Sequence, residues 1–472
     1  MVTDLNASKA GLRLTFDPSL IKRYDKAGPR YTSYPTAVQF TEAFSCEDYL
    51  RAVERSNRES PPKPLSLYFH IPFCATLCFY CACNKVITKR KEKALEYLDR
   101  LYREIEMQGA LFDRQRQVEQ LHLGGGTPTF LSPPQLEALL HQVRRHFSLR
   151  QDDRRDFSIE VDPRTVDTGY LQALWDLGFN RISLGVQDFD PHVQKAVHRI
   201  QSQQATLGLI EAARRIGFRS INTDLIYGLP LQTLQSFSIT LDTLIEAAPN
   251  RISLFNYAHL PDRFPPQQRI KAEELPSPDE KLAILQRSVE KLNAAGYVYI
   301  GMDHFARPED ELNRARQEGT LYRNFQGYST HANCDLVGMG VTAIGQVSDC
   351  YVQNHRTLEN YYAALDEGKP ALLKGYALSL DDKIRRRVIE NIMCYGRIDF
   401  PAIEASFDID FHEYFSPEVE QLRIMEADGL IELSSRALQV RPAGRLLLRN
   451  VCMVFDRYLP QAQKTSRFSR VI

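Results

Sequence analysis

The chain has 472 residues, which is enough for a large catalytic domain together with one or two smaller units. Its 59 basic and 59 acidic residues cancel, so charge does not support nucleic acid or an acidic membrane as the main partner. No apolar run approaches the ~18 residues of a membrane span, and the N-terminus lacks the layout of a signal peptide. Nine cysteines, clustered and odd in number, indicate a reducing compartment, and we expect a cytoplasmic protein.

Residues 1–62 are predicted to form an N-terminal arm. Within it, the segment KRYDKAGPRYTSYPTA is aromatic and basic, and its glycine and prolines interrupt any regular element. This composition suits a strap on the outside of the protein. It suits a lid equally well, because Arg23 and Arg30 can offer cations to a substrate that carries carboxylates.

Residues 63–300 alternate short apolar runs with amphipathic stretches, the pattern of strand–helix units joined by parallel crossovers. Six such units predict an α/β fold, a partial (β/α)6 TIM-like barrel, because the repeat stops near residue 295. In parallel barrels the chemistry lies at the C-terminal ends of the strands. The predicted strands are 65–71, 120–123, 157–161, 181–184, 220–226 and 251–255. The predicted helices include 92–112, 134–147, 202–216, 234–247 and 279–295.

Two regions follow the barrel. Residues 301–377 begin with the end of a strand-like run over 297–305 and contain the glycine-rich turns FQGYST and LVGMGVTAIG, which are predicted to extend the barrel mouth. Residues 378–472 are predicted to form a mainly helical, winged-helix-like C-terminal domain. Most winged helices bind DNA, but this segment has no basic stripe beyond residues 385–387, so a domain that covers the barrel mouth is favoured.

Cys74, Cys78 and Cys81 follow the first predicted strand at C-x3-C-x2-C spacing. Pro72 cannot extend the strand, so the thiols fall on the loop that leaves its C-terminal end. A zinc site would need a fourth ligand, and Cys83 is separated from Cys81 by one residue, a tight bite for a tetrahedron. A disulfide framework suits small secreted domains instead. Three thiolates can hold three corners of a cubane 4Fe–4S cluster and leave the fourth iron open, and this loop resembles that of the radical S-adenosylmethionine (SAM) enzymes.

Further candidates lie at the ends of the other predicted strands. The run Gly124–Gly126, followed by Thr127, allows close approach of the backbone to a ligand. Polar side chains also end three successive strands, and each needs a partner, either a ligand or a helix cap or salt bridge with a barrel arginine such as Arg199. These side chains are Glu160, Gln187 and Asp224. Four histidines near strand ends are interpreted as hydrogen-bonded packing residues and not as cluster ligands; they are His70, His122, His198 and His259.

Together these strings resemble the oxygen-independent coproporphyrinogen III oxidases, and the resemblance spans essentially the whole chain. The strings are GPRYTSYPTA, YFHIPFC-x3-C-x2-C-x-CNK, LHLGGGTPT, IEVDPR, NR-x-S-x-GVQDF, DLIYGLP, FNYAHLP, GMDHFARP, RNFQGY and the C-terminal FSRVI.

The resemblance implies a monomer that holds one 4Fe–4S cluster and two SAM molecules. The SAM on the open iron would be contacted by Tyr68, Gly125, Glu160 and Ile344. The second SAM would be lined by Tyr80, Gly126, Thr127, Gln187, Arg199, Asp224 and Ala258. The implied reaction is oxidative decarboxylation of two propionates of coproporphyrinogen III to vinyl groups, and it requires an electron donor and an electron acceptor that the sequence does not identify.

Two related functions remain open at this stage. One is a haem-trafficking protein of the same superfamily, and the other is a radical enzyme that methylates and opens haem. The thiol of Cys83 and the GPRYTSYPTA arm favour the oxidase, because the trafficking relatives usually carry phenylalanine at the position of Cys83 and lack the long arm.

Overall fold

A computed structural model describes residues 14–459, and its centre is a run of seven parallel strands within one sheet. They are Leu65–Ile71 (β1), Gln117–Gly125 (β2), Asp156–Val161 (β3), Arg181–Gln187 (β4), Ser220–Tyr227 (β5), Arg251–Asn256 (β6) and Asp335–Met339 (β7). Their order is β6-β5-β4-β3-β2-β1-β7, and every neighbouring pair is parallel.

The predicted partial barrel is confirmed, since the described sheet runs between two antiparallel edges and does not close. All six predicted strands fall within β1–β6. The seventh parallel strand, β7, comes from the region after the six repeats and pairs with β1, so the chain returns to the first strand from far away in sequence.

The helices that cover the barrel begin at residues suited to the N-cap. Ser202 and Thr233 each accept a hydrogen bond from the first turn of the helix that follows. The apolar faces of these helices pack on the strands and form one large core with them. The barrel helices are Glu92–Leu111, Pro133–His146, Thr168–Asp176, Pro191–Ala196, Gln203–Ile216, Leu234–Ala247 and Pro278–Ala294.

The remaining elements of the barrel region are short. The predicted strand-like run over 297–305 is an antiparallel pair, Val298–Gly301 and His304–Ala306, which lies beside β6. At the other edge, Ile344–Val347, Cys350–Asn354 and Leu372–Ala377 continue the sheet from β7. Short strands are Phe73–Cys74, Val86–Ile87, Ser148–Leu149, Tyr322–Asn324 and Gly327–Ser329, and further helices are Glu311–Glu318 and Leu358–Asp366. Single 3-10 turns are Ala37–Gln39, Pro128–Phe130, Pro265–Arg269, Ala272–Glu274 and Pro442–Leu447.

The C-terminal domain has its own apolar core and is mainly helical, as predicted. Its strands form a three-stranded antiparallel sheet, in which Arg397–Asp399 pairs with Ala437–Val440. The other strand is Ile431–Leu433, and the helices are Leu380–Tyr395, Phe400–Phe407, Phe411–Tyr414, Ser416–Ala427 and Leu448–Val454. The FSRVI string lies outside the described residues, as do residues 1–13 of the arm.

The arm contributes to two cores: the segment around Tyr24 and Tyr31 packs in this C-terminal core, and its second helix packs in the barrel core. Its helices are Pro18–Tyr24 and Cys46–Asn57. The Tyr24 carbonyl accepts a hydrogen bond from the Asn450 side chain at 2.7 Å, and Tyr31 donates to Asp456 at 3.0 Å. These buried contacts favour the strap interpretation of this segment over the lid. No helix within residues 14–459 has the length and apolar character to cross a membrane.

Candidate functional site

A cavity of about 510 Å³ runs along the inside of the barrel and includes the C-terminal ends of the parallel strands, where the sequence predicts the chemistry. Its lining also reaches the strand starts at Asp156, Arg181, Ser220 and Arg251. The loops after β1, β2, β3 and β4 contribute to its wall. The predicted site residues that line it are Cys74, Cys78, Tyr80, Cys81, Gly125, Gly126, Thr127, Glu160, Gln187, Arg199 and Asp224.

The cysteine loop is anchored at both ends by backbone hydrogen bonds. Pro72 ends β1 and its carbonyl accepts from Val86 N at 2.7 Å, while the Cys74 carbonyl accepts from Thr88 N at 2.9 Å. The thiol of Cys74 itself lies 3.3 Å from the hydroxyl oxygen of Thr127. The thiols are therefore presented by a closed loop on a rigid strand end.

The three thiols do not fit a single ion. Among the described residues, they are not all within 4.8 Å of one another, whereas zinc–sulfur bonds of 2.3 Å would hold tetrahedral ligands about 3.8 Å apart. A polynuclear cluster places its cysteine ligands on separate irons, so wider spacing of the sulfurs is expected. The donor set and its spacing thus fit the predicted 4Fe–4S cluster better than zinc.

Positive groups surround the sulfurs. Arg199 Nη1 lies 3.6 Å and Arg164 Nη2 lies 3.7 Å from the Cys78 sulfur. The hydrogen bond from Cys83, followed by the charge of Lys85, lowers the pKa of the Cys81 thiol to about 6. Cys83 and Lys85 therefore favour the thiolate form of Cys81 that an iron ligand needs, and Cys83 has a role as hydrogen-bond partner of a ligand.

The Cys74 thiol lies in a different environment. Burial raises its pKa to about 11, and the hydrogen bond with Thr127 only partly offsets this. A coordinating metal deprotonates such a thiol outright. The chain alone therefore favours the thiolate at Cys81 but not at Cys74.

The glycine run packs against the strand ends. A Cβ on Gly125 would lie 2.6 Å from the His70 ring, and the backbone there has φ +114°, a left-handed conformation. A Cβ on Gly126 would lie 2.5 Å from the Pro72 carbonyl oxygen. Both positions require glycine for packing against β1, in addition to any closeness to a ligand.

Glu160 is held by the same run. Its Oε2 accepts from Gly125 N at 3.2 Å, and His122 Nε2 lies 3.5 Å from its Oε1. His122 in turn stacks on Tyr68, with 5.8 Å between ring centroids, and its Nδ1 lies 2.6 Å from Ser158 Oγ. The carboxylate is thus aimed into the cavity by three neighbouring strands.

Each of the four histidines has a hydrogen-bond partner, although His122 also lines the cavity and His198 is exposed. His70 Nε2 lies 3.0 Å from the Asn84 carbonyl oxygen at the end of the cysteine loop. His122 lies against Ser158, while His198 Nδ1 is 2.7 Å from the Leu77 carbonyl oxygen. His259 Nδ1 is 2.9 Å from the Tyr257 hydroxyl.

Gln187 is strained and incompletely paired. Its backbone has φ +67°, which is uncommon for a residue with a side chain. Its buried Oε1 has no hydrogen-bond partner within the described part of the chain. A buried polar atom that faces a cavity without a hydrogen-bond partner is suited to accept a hydrogen bond from a ligand.

Asp224 lies deep in the barrel and faces the same cavity. Burial raises the pKa of its carboxyl to about 6, against hydrogen bonds that favour the charged form. Ser183 Oγ and Asn222 Nδ2 each donate to it at 2.8 Å. The predicted alternative of a salt bridge to Arg199 does not hold for Asp224 or Glu160, because Arg199 lies beside Asp162, with Nη2 3.4 Å from Oδ1.

Asp162 and Arg164 were not assigned from the sequence, although both belong to the quoted IEVDPR string. Arg164 Nη2 lies 2.6 Å from Asp162 Oδ2, and Asp162 links both arginines that flank Cys78. The sequence contained one signal for these two residues: Asp162 and Arg164 are oppositely charged and directly follow the strand that carries Glu160.

Five predicted contacts lie outside the cavity wall. Tyr68 lies behind it against His122, Ala258 follows β6, and Ile344 packs in an apolar cluster at the edge of the sheet. Arg30 pairs with Asp303 at 2.9 Å, and its guanidinium carbon is 6.0 Å from the ring of Phe255, which lines the cavity. Arg23 pairs with Asp428 of the C-terminal domain at 2.7 Å and does not reach the cavity.

Comparisons with known proteins agree with this site. The radical SAM superfamily model matches residues 68–244, and the HemN C-terminal domain model matches residues 378–447. The oxygen-independent coproporphyrinogen III oxidase of Pseudomonas aeruginosa is 54% identical over 459 residues, which cover 97% of this chain and 99% of that protein. The corresponding Escherichia coli protein is 49% identical, with 98% and 99% covered.

A solved structure supports the same assignment. It is described as coproporphyrinogen III oxidase (HemN) from Escherichia coli, a radical SAM enzyme, and it superposes with a TM-score of 0.90 at 48% identity, covering 94% of this chain and 100% of that one. With near-complete coverage at this identity, the chain belongs to the oxygen-independent coproporphyrinogen III oxidases, within the radical SAM superfamily.

Proposed function

We propose that the protein oxidatively decarboxylates two propionate side chains of coproporphyrinogen III to vinyl groups, giving protoporphyrinogen IX. The observation that carries this proposal is the set of three cysteine thiols in one strand-end cavity, in a chain 54% identical along almost its whole length to an enzyme of that name. Each propionate loses one hydrogen atom, carbon dioxide and one electron, so the reaction needs an electron acceptor.

Cys74, Cys78 and Cys81 would hold the 4Fe–4S cluster. With SAM bound, that cluster would supply the electron for the radical chemistry that removes the hydrogen atom. The protein itself positions the substrate carbon and excludes water. No acid–base pair is required of the side chains.

Two SAM molecules are proposed, with the contacts implied by the family resemblance. The first would meet Gly125 and Glu160 near the cysteine loop, with Tyr68 and Ile344 behind them. The second would meet Tyr80, Gly126, Thr127, Gln187, Arg199, Asp224 and Ala258. The unpaired Gln187 oxygen and the raised pKa of the Asp224 carboxyl support a polar ligand at the second position.

The substrate carboxylates require cations at the mouth of the cavity. Arg30 lies beside the wall residue Phe255 and is the better of the two arginines predicted in the arm, because Arg23 is held by the C-terminal domain. Arg323 is a further candidate: its Nε and Nη1 meet no partner among residues 14–459, and its guanidinium lies 4.8 Å from the ring of Tyr328 in the cavity wall. Its planar guanidinium can bind a carboxylate through two hydrogen bonds.

We also infer a cytoplasmic monomer that receives electrons from a separate reductant. The reducing environment suggested by nine free cysteines supports the location. The acceptor of the substrate's last electron is a separate species of unidentified chemistry.

The test is anaerobic turnover by the reconstituted protein. We expect conversion of coproporphyrinogen III to protoporphyrinogen IX with two SAM consumed per product. Replacing Cys74, Cys78 or Cys81 by Ala should abolish cluster absorbance and turnover together, whereas Cys46→Ala, a cysteine of the arm, should leave both unchanged. Tight haem binding without turnover would favour a trafficking protein and contradict the proposal.

A further inference from the structure

A second cavity, of about 340 Å³, lies at the opposite end of the barrel. Glu119, near the start of β2, contributes to it together with the loop that leads into β7. Five residues of β2 lie between Glu119 and Gly125, so the two are about 20 Å apart along an extended strand. The two cavities share no lining residue, although Asp156, which lines the first, lies 3.7 Å from His331, which lines the second.

Three potential metal ligands of different chemistry converge there. Glu119, His331 and Cys334 each offer one ligand atom, and these atoms all lie within 4.8 Å of one another. His331 Nδ1 is 3.3 Å from Glu119 Oε2. In a tetrahedral zinc site, bonds of 2.0–2.2 Å place a nitrogen and an oxygen ligand about 3.4 Å apart, so this pair already has the required separation.

The surrounding contacts orient these ligands. Arg150 Nη2 donates to Glu119 Oε1 at 2.6 Å, which leaves Oε2 directed at His331. His331 Nε2 lies 3.7 Å from Asp156 Oδ2, so a histidine that binds a metal through Nδ1 has a carboxylate behind its other nitrogen. Metal-binding histidines typically donate a hydrogen bond from the outer nitrogen to a carboxylate; here the carboxylate is on the correct side, at 3.7 Å, which is longer than a hydrogen bond.

The types of ligand atom in this group indicate which metal ion would bind. Thiolate and imidazole ligands favour zinc over magnesium or calcium, which prefer oxygen ligands alone. A hydrogen bond between Glu119 and His331 would account for two of the three groups but not for the half-buried Cys334 thiol beside them.

We propose that Glu119, His331 and Cys334 form a mononuclear zinc site, with a fourth position open to the second cavity. The ion joins the start of β2 to the loop before β7 and so stabilises the strand that returns to β1. The helix Leu380–Tyr395 of the C-terminal domain faces the open position through Glu390 and Asn391. The site is independent of the proposed catalytic cluster.

Zinc content of the anaerobically reconstituted holoenzyme, measured by mass spectrometry, tests this proposal. We expect about one zinc per chain after incubation with Zn²⁺ and removal of excess, and a loss of at least tenfold in Cys334→Ser and in His331→Gln. Cys46→Ser, in the helix Cys46–Asn57, is the matched control and should keep its zinc. A full chain in which Cys74, Cys78 and Cys81 are serine should lose iron but keep zinc.

Cobalt(II) provides a second measurement that does not depend on activity. Added to the triple-serine chain, it should give a thiolate-to-cobalt charge-transfer band that disappears when Cys334 is also replaced by Ser. Equal zinc content in Cys334→Ser and the unchanged chain would overturn the proposal. So would the absence of zinc from the unchanged chain, or its loss only in the triple-serine chain.

Discussion

Replacing Asp224 by Asn should make the protein more stable and less active at the same time. In the structure, Asp224 Oδ1 accepts from Asn222 Nδ2 and Oδ2 accepts from Ser183 Oγ, both at 2.8 Å. An asparagine oxygen can keep the first bond, and its amide can donate to the serine, whose hydroxyl rotates to accept. The substitution therefore removes the charge and keeps the hydrogen bonds.

The magnitude follows from the raised pKa of the Asp224 carboxyl. Burial raises it from 3.8 to about 6, which corresponds to a cost of about 3 kcal/mol for the ionised form in the folded protein. Below pH 3.8 the carboxyl is protonated in both folded and unfolded chains, and the cost is absent. It grows as the pH rises to about 6 and is constant above. Water in the cavity reaches part of the side chain, so about 3 kcal/mol is an upper bound.

Denaturant unfolding at pH 4.5 and pH 8 measures this difference. The fluorescence of Trp175, the only tryptophan, reports on the barrel because its ring packs against Phe218. We expect Asp224→Asn to raise the free energy of unfolding at pH 8 by up to about 3 kcal/mol, and by clearly less at pH 4.5. Asp153→Asn, at a fully exposed side chain, is the control and should change it by less than about 0.5 kcal/mol.

Turnover provides the other half of the test. Loss of a charged hydrogen bond to a bound SAM should lower kcat at least about tenfold. Equal stabilities at pH 8, or a gain that is the same at both pH values, would refute the argument from burial.

Three further substitutions have defined outcomes. Gly126→Ala places a Cβ 2.5 Å from the Pro72 carbonyl oxygen, so we expect a loss of about 1–3 kcal/mol of stability and reduced iron content after reconstitution; full iron content would contradict this. Glu104→Ala leaves three buried donors without their acceptor, Asn354 Nδ2, Gly340 N and the Tyr361 hydroxyl, and should cost about 3 kcal/mol or more in denaturant unfolding. The measurement is made at pH 5, below the pKa of about 7 to which burial raises the Glu104 carboxyl, so that loss of a buried charge does not offset this cost; an unchanged free energy of unfolding would contradict it. Arg323→Ala should raise KM for the porphyrinogen about tenfold or more with little change in kcat; an unchanged KM would remove it from the carboxylate site.

The glycine run illustrates where sequence reasoning was incomplete. The sequence indicates that Gly124–Gly126 brings backbone close to something, and the family resemblance names SAM. In the structure the nearest obstacles to a side chain are Glu160, His70 and Pro72, all from the chain itself. Close packing between neighbouring strands is a long-range property, so the identity of these neighbours was not available from the local pattern.

The same limit explains the arginines of the arm. Composition alone placed Arg23 and Arg30 together as substrate contacts, although they are only seven residues apart in an irregular segment. The fold sends them to different partners, Asp428 in the C-terminal domain and Asp303 beside the cavity. Irregular segments have no period from which side-chain direction can be predicted.

The sequence alone determined the repeating strands and helices, the loop that carries the thiols and the polar residues at strand ends, because these depend on local periodicity and on short spacings. Tertiary structure alone decided that β7 returns to β1, that Asp162 lies between Arg164 and Arg199, and that Glu119 meets His331 and Cys334. These contacts are formed by the packing of the folded chain. The local pattern of residues does not show which segments or charged groups will meet, so the contacts could not be predicted from it.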